Sequence, residues 1–308
     1  MLRPAHVLLP CLLAAGLVAQ PGPKPAPAMP AALWTRMTED LTRMANEVDG
    51  RVGVFLQGLD SPETFSLRGD EVFPAASTIK VAILLELYRQ AEAGRLRLTD
   101  VCEVQSRDLV EGSAVLGNLA PGTKLSLRDL ALFMVVVSDN SAANLLMDRV
   151  GVEHVNTTLR GLGLEKTQLR RKMMDLPAAQ AGRENLSSPR DLGELLTLIH
   201  RGKVVSGASR ADLLHLLVTP KDGFLTRLLP EDLEVANKPG TLAGVRNDVG
   251  IIFVKGRPFV LAIMSSHLRD ERQAEAAIAR MARRAAACFE MAAATSPEGR
   301  VFGPLLVH

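Results

Sequence analysis

Apolar residues at Leu33, Met37, Leu41 and Met44 recur at helical spacing over residues 33–47, and Gly50 follows as a stop, so the first regular element is expected to be an α-helix. Two short strand-like runs come next, at 51–56 and 63–67. Leu59-Asp60-Ser61-Pro62 between them is a turn signal and makes them a hairpin. From residue 99 to about residue 229 almost every apolar segment keeps helical spacing, with breaks at Pro121-Gly122, Gly151, 161–163, Ser187-Ser188-Pro189 and Gly202. Strand character returns at 233–237, 249–254 and 258–265, the last two joined by Lys255-Gly256-Arg257 as a hairpin turn. An alanine-rich helix closes the pattern over 270–294. This order predicts an α+β fold: an antiparallel sheet of about five strands, flanked by N- and C-terminal helices, with an all-helical lobe inserted between its halves.

The pattern also divides the chain. Residues 1–19 carry Arg3, an apolar run from Val7 to Ala19 and small residues at its end, which read as a secretory signal peptide and predict export to the periplasm or medium. The run is too short to span a bilayer, so no stable membrane insertion is expected after processing. Cys11 lies inside it, but Leu8-Leu9-Pro10 ahead of it does not suit a lipid-anchored cysteine. Residues 20–30 are rich in proline and alanine and read as an extended tether. One domain is expected over 31–296, its sheet lobe formed by 31–74 and 230–296 and its helical lobe by 75–229, with a tail at 297–308.

Composition narrows the chemistry. The chain has 308 residues, 47% of them apolar, enough to fill a sizeable core. A formal charge of +2, with no basic run, points away from nucleic acid as a partner. After processing only Cys102 and Cys288 remain, expected as buried free thiols, and His154, His200, His215 and His267 show no metal-ligand spacing. No metal or organic cofactor is implied.

Three short stretches carry candidate chemistry. Ser77-Thr78-Ile79-Lys80 heads an apolar helix and places a hydroxyl and an amine three residues apart, on one helical face. A serine attacks carbonyls only when a base takes its proton, and an amine whose pKa is lowered by burial supplies one. Ser138-Asp139-Asn140 lies between two apolar helices, where polar residues suit a cleft-lining turn, though Ser138 and Asn140 serve equally as helix caps there. Lys238-Pro239-Gly240-Thr241 ends a predicted strand, with a lysine beside a glycine that lets backbone approach a ligand. A lysine–x–glycine run also occurs at Lys221-Asp222-Gly223.

In this order and spacing the three stretches resemble the penicillin-interacting serine enzymes, specifically class A β-lactamases, over residues 31–294. Phe73-Pro74-Ala75-Ala76 before the nucleophile and Arg246-Asn247-Asp248 after the lysine strengthen the resemblance. It implies that Ser77 is acylated, that Lys80 is its base or proton relay and that Ser138 passes the proton to the leaving nitrogen. It further implies that Asn140 binds the substrate's side-chain amide, that Lys238 attracts its carboxylate, and that the backbone N–H groups of Ser77 and Thr241 form an oxyanion hole beside Gly240. The implied partner is a small-molecule β-lactam or a cell-wall peptide, and the implied state a monomer.

Two departures stand out. Pro239 replaces the hydroxyl residue of the family's KTG, and the loop before Asn185 lacks the family's ExxLN glutamate that activates the deacylating water. Met173 or Met174 falls at its place, leaving Asp175 as the preferred base and Glu184 as the other nearby carboxylate. A D,D-peptidase, an esterase, or a penicillin-binding sensor acylated without turnover are the alternatives this loop leaves open.

Overall fold

Helix α1 (Ala31–Asn46) turns Met37, Leu41 and Ala45 inward, as its periodicity requires. The structure, a computed structural model, describes residues 26–296 and 299–302. The expected signal peptide, Cys11 and most of the tether lie outside the described residues. The end of the tether is held ahead of the expected domain start: Pro27 O accepts from Arg257 Nη2 at 2.5 Å, and Met29 N–H donates to Glu63, which is ion-paired with Arg257.

After α1 come β1 (Arg51–Gly58), β2 (Thr64–Leu67) and β3 (Phe73–Pro74), then a single 3₁₀ turn (Ala76–Ile79) that runs into α2 (Lys80–Glu92). The middle of the chain forms β4 (Val101–Glu103), β5 (Lys124–Ser126), α3 (Leu127–Val136), α4 (Asn140–Val150), α5 (Val152–Gly161), α6 (Leu176–Gln180), β6 (Leu186–Ser187), α7 (Pro189–His200) and α8 (Gly207–Val218). It ends with β7 (Val235–Leu242), β8 (Val245–Ile252), β9 (Phe259–Ser266) and α9 (Glu271–Ala294). The large sheet is antiparallel in the order β2-β1-β9-β8-β7, so strands from the two ends of the chain meet where β1 pairs β9.

The sheet is a two-faced core. Along β9, Phe259, Leu261 and Ile263 pack with α1 and α9, while Val260, Ala262 and Met264 face the helical lobe. Burying both sides explains why β9 reads as a continuous apolar run rather than an alternating one. In the helical lobe α2 is buried on nearly every side, as befits a helix enclosed by others, and its one buried carboxylate, Glu86, is bonded by Gln90 and Thr158.

Two details depart from the sequence reading. The helical lobe also holds two small ladders, β4 with β5 and β3 with β6, too short to give a periodic signal. More consequentially, Lys238-Pro239-Gly240-Thr241 lies inside a strand that continues to Leu242, not at a strand end. Pro239 and Gly240 read as breaks in the sequence, but β7 is an edge strand, where both are tolerated. Cys288 is buried, Cys102 is only half-buried, and the two are not joined.

Candidate active site

Ser77 sits on the 3₁₀ turn rather than on the α-helix the sequence suggests. The tighter turn serves the same end, because side chains three residues apart eclipse in a 3₁₀ helix and set Ser77 above Lys80. Ala76 enters the turn at φ 49°, an unfavourable conformation for a residue with a Cβ. It is held there by its surroundings: Asn247 Nδ2 on β8 donates to Pro74 O and Ala75 O at 2.9 and 3.2 Å, and Thr78 Oγ1 donates to Ala75 O at 2.6 Å.

Lys80 is fully buried, and its amine donates to Ser138 O at 2.6 Å, Ser138 Oγ at 3.1 Å and Asn140 Oδ1 at 2.8 Å. Burial holds this amine well below the usual lysine range; Lys238's charge adds to the effect and Asp139 opposes it. Ser138 adopts φ 57°, which turns both its carbonyl and its hydroxyl toward Lys80. Lys238, also buried, donates to Ser138 Oγ at 3.0 Å from β7. A hydroxyl accepts two hydrogen bonds and donates one, so with two lysines as donors the Ser138 proton is left available for transfer.

Asp139, to which the sequence reading assigned no role, fixes this turn. Its carboxylate accepts from Ala142 N at 2.9 Å, capping α4, and from Val115 N and Leu116 N at 3.0 Å each. An aspartate immediately before an apolar helix was the available signal. Asn140 is engaged at both ends, accepting from Lys80 and donating from Nδ2 to Glu111 O at 3.0 Å.

The third wall of the cleft is β7. A Cβ on Gly240 would lie 2.9 Å from Ser77 N and 3.0 Å from Thr78 N, so only glycine lets the strand come this close to the turn that carries Ser77. Burial pushes the Lys238 amine down to about 7, with Asp248 opposing and Lys221 adding to the shift. Ser77, Ser138, Pro239, Gly240, Thr241 and Arg246 line a cleft of about 320 Å³. Arg246 is another residue without an assigned role in the sequence reading. Its guanidinium bonds Glu271 and, at 2.7 Å, Glu275, both on α9, which aims it along the cleft wall.

The structure brings Ser77, Lys80, Ser138, Asn140, Lys238, Gly240 and Thr241 to one place, but not Asp175. That side chain is exposed and caps α6, accepting from Ala178 N at 3.0 Å. Glu184 is occupied by Arg171 at 2.7 Å and by Asn185 N at 2.8 Å. The Met173 side chain is buried in the core, and its backbone is clamped by Asn144 through Met173 N to Oδ1 at 2.7 Å and Nδ2 to Met173 O at 3.1 Å. Among the described residues no group of three or more His, Cys, Asp or Glu side chains comes together to hold a metal.

Comparison with known proteins gives a consistent picture. A model of the β-lactamase enzyme family matches residues 36–289. A β-lactamase of Amycolatopsis lactamdurans is 30% identical, over 85% of this chain and 85% of its own. Among solved structures, an ancestral class A β-lactamase superposes with a TM-score of 0.76 at 30% identity, covering 81% of this chain and 98% of that one. A mutant of PBP-A, solved as its acyl-enzyme complex with penicillin G, gives a TM-score of 0.75 at 28% identity over 87% of this chain and 99% of that one.

Proposed function

The chain belongs to the β-lactamase enzyme family, and from that premise we propose that it is a serine hydrolase opening the β-lactam amide through an acyl-Ser77 intermediate. The observation that carries this reading is the hydroxyl of Ser138, hydrogen-bonded at once by Lys80 at 3.1 Å and Lys238 at 3.0 Å in the cleft that Ser77 also lines. In the neutral form that burial favours, Lys80 gives up one of its three donated hydrogen bonds, and the lone pair so freed takes the Ser77 proton as Oγ attacks the lactam carbonyl, while the developing oxyanion is met by the N–H groups of Ser77 and Thr241. The proton passes through Ser138 Oγ to the lactam nitrogen as the C–N bond breaks. Lys238 and Arg246 face the substrate's carboxylate, compensating for the hydroxyl that Pro239 lacks, and Asn140 turns its amide from Glu111 to the substrate's side chain.

Water then releases the acyl group. With Asp175 committed to a helix cap and Glu184 to Arg171, neither carboxylate of this loop is poised for that water, and we propose that deacylation is the slow step. The apolar run from Val7 to Ala19 supports action outside the cytoplasm, where such substrates are met.

Mass spectrometry of the protein mixed with penicillin G tests the proposal. An adduct on Ser77 that accumulates and then decays to hydrolysed product is expected, and Ser77→Ala abolishes it. Labelling that survives in Ser77→Ala, or no labelling and no hydrolysis in the parent, overturns it.

A further inference from the structure

Arg227, a residue without an assigned role in the sequence reading, lines the same cleft as Ser77 and Ser138. Its guanidinium carbon lies 4.7 Å from the centroid of the buried Phe224 ring, and its Nη1 donates to Glu275 Oε2 at 2.7 Å. Glu275 gives its other oxygen to Arg246 Nε, also at 2.7 Å, so one carboxylate of α9 bridges two arginines. Ring and carboxylate restrain the Arg227 fork while its side chain stays 38% exposed, open to a ligand.

A guanidinium carries five N–H donors, and where they go separates the two arginines. Arg246 spends Nε–H on Glu275, both Nη1 hydrogens on Leu242 O at 2.9 Å and Val245 O at 2.8 Å, and an Nη2 hydrogen on Glu271. Those two carbonyls flank the turn between β7 and β8, and Glu271 also accepts from Gly244 N in that turn at 2.7 Å, so Arg246 is largely committed to the fold. One N–H is left to it. Lys238 spends two of its own on Ser138 Oγ and Pro239 O, each at 3.0 Å. Arg227, by contrast, makes a single hydrogen bond among the described residues, the one to Glu275. Asp222 stands 3.7 Å from its Nη2, an ion pair too long for a hydrogen bond. Four of its N–H groups therefore remain for a ligand. Charge points the same way. Glu271 and Glu275 set two carboxylates against the one guanidinium of Arg246, a balance that by itself repels an anion, and Arg227 restores neutrality there.

We infer that Arg227 is a specificity-determining residue of the proposed reaction, presenting the two-pronged donor that grips the substrate's carboxylate, a task for which Arg246 has only one N–H to spare. The planar fork of a guanidinium matches the two oxygens of a carboxylate, as a lysine ammonium does not. The inference rests on the serine-hydrolase reading and deepens it, since Lys238 and Arg246 then assist a grip that Arg227 provides.

Penicillin G and its methyl ester, which carries no carboxylate charge, test this in the full chain. The readout is the ratio of their second-order rates of Ser77 labelling. A purely structural role for Arg227 leaves that ratio unmoved, because both reagents then slow together. In Arg227→Met the ratio of acid to ester is expected to fall by on the order of tenfold or more, the usual worth of hydrogen bonds to a charged group. Arg227→Lys, which keeps the charge but not the fork, recovers only part of it. A parent-like ratio in folded Arg227→Met, or a parent that does not prefer the acid, overturns the inference and leaves the serine-hydrolase reading standing. Should neither reagent label the parent, the functional reading fails and binding decides the inference. The same two reagents are then titrated into Ser77→Ala with and without Arg227→Met and followed by amide NMR. A preference for the acid that is lost with Arg227 sustains the inference; equal affinities, or no binding, overturn it.

Discussion

Lys80 Nζ is bonded to both the carbonyl and the hydroxyl oxygen of Ser138, at 2.6 and 3.1 Å, because Ser138 stands at φ 57°. In an ordinary helical or extended conformation the two oxygens would diverge. The left-handed turn costs about 1–2 kcal/mol for a residue with a Cβ. Ser138→Gly removes that cost and the hydroxyl together. It should melt no lower than the parent while acylating Ser77 on the order of 10²–10⁴ times more slowly, the usual worth of a positioned proton-transfer group. Stopped-flow labelling with penicillin G beside a thermal melt gives both numbers; a parent-like rate would remove Ser138 from the proton path.

Gly240→Ala tests the packing of β7 against the nucleophile's turn. Its Cβ would meet the backbone nitrogens of Ser77 and Thr78, which are not free to yield as a side-chain tip is. The strand must retreat, and Thr241 N–H with it. Acylation is expected to fall by more than about tenfold, since one oxyanion donor alone is worth about 2.7–4 kcal/mol in well-studied cases. Second-order labelling rates decide it, and an unchanged rate would mean that Thr241 N–H makes no contribution.

The buried lysines give stability a pH dependence of determined sign. Lys238 is depressed in the folded state to about 7 from an ordinary 10.5, so the folded chain holds fewer protons than the unfolded one between those values. Stability therefore rises as pH rises through that window, by at most about 1.4 kcal/mol per pH unit for one group, and is lost as pH falls through about 7. Lys238→Met should be more stable than the parent at pH 7, show a flatter rise toward pH 9, and lose acylation. Urea melts at pH 7, 8 and 9 measure this; equal slopes in parent and variant would contradict it.

Asn144→Ala tests how the loop before Asn185 is held. It removes both hydrogen bonds that clamp Met173 and leaves a buried N–H and a buried C=O without partners, at about 1–3 kcal/mol each. A lower denaturation midpoint is expected, together with faster proteolysis between residues 170 and 185. A midpoint equal to the parent's would show that the loop is secured elsewhere.

Asp175→Asn separates helix capping from catalysis. Asparagine caps as well as aspartate, so the melting temperature should not move, and the decay of the Ser77 adduct should keep its rate. Slower decay with unchanged stability would return Asp175 to the role of base.

Much of the molecule was legible from residue order alone, and for a definite reason. The spacing of Leu33, Met37 and Leu41, the apolar run of β9 and the alanine-rich α9 state their own geometry, because helix and strand periods are local properties of the backbone. Ser77 and Lys80 were legible likewise, since three residues of helical backbone bring them together wherever the helix is placed. What residue order does not encode is which distant groups share a desolvated space. Lys80 finds its hydrogen-bond partners at Ser138 and Asn140 on the next helix pair, Gly240 is required by a nitrogen on another element, and Asp175 is drawn to Ala178 N instead of the cleft. The amine of Lys238 is held below the usual lysine range chiefly because packing buries it, which no local segment of sequence states. Sequence determined the candidate nucleophile and the layers around it; tertiary packing decided which amines are stripped of water, because desolvation belongs to the assembled core and not to any one segment.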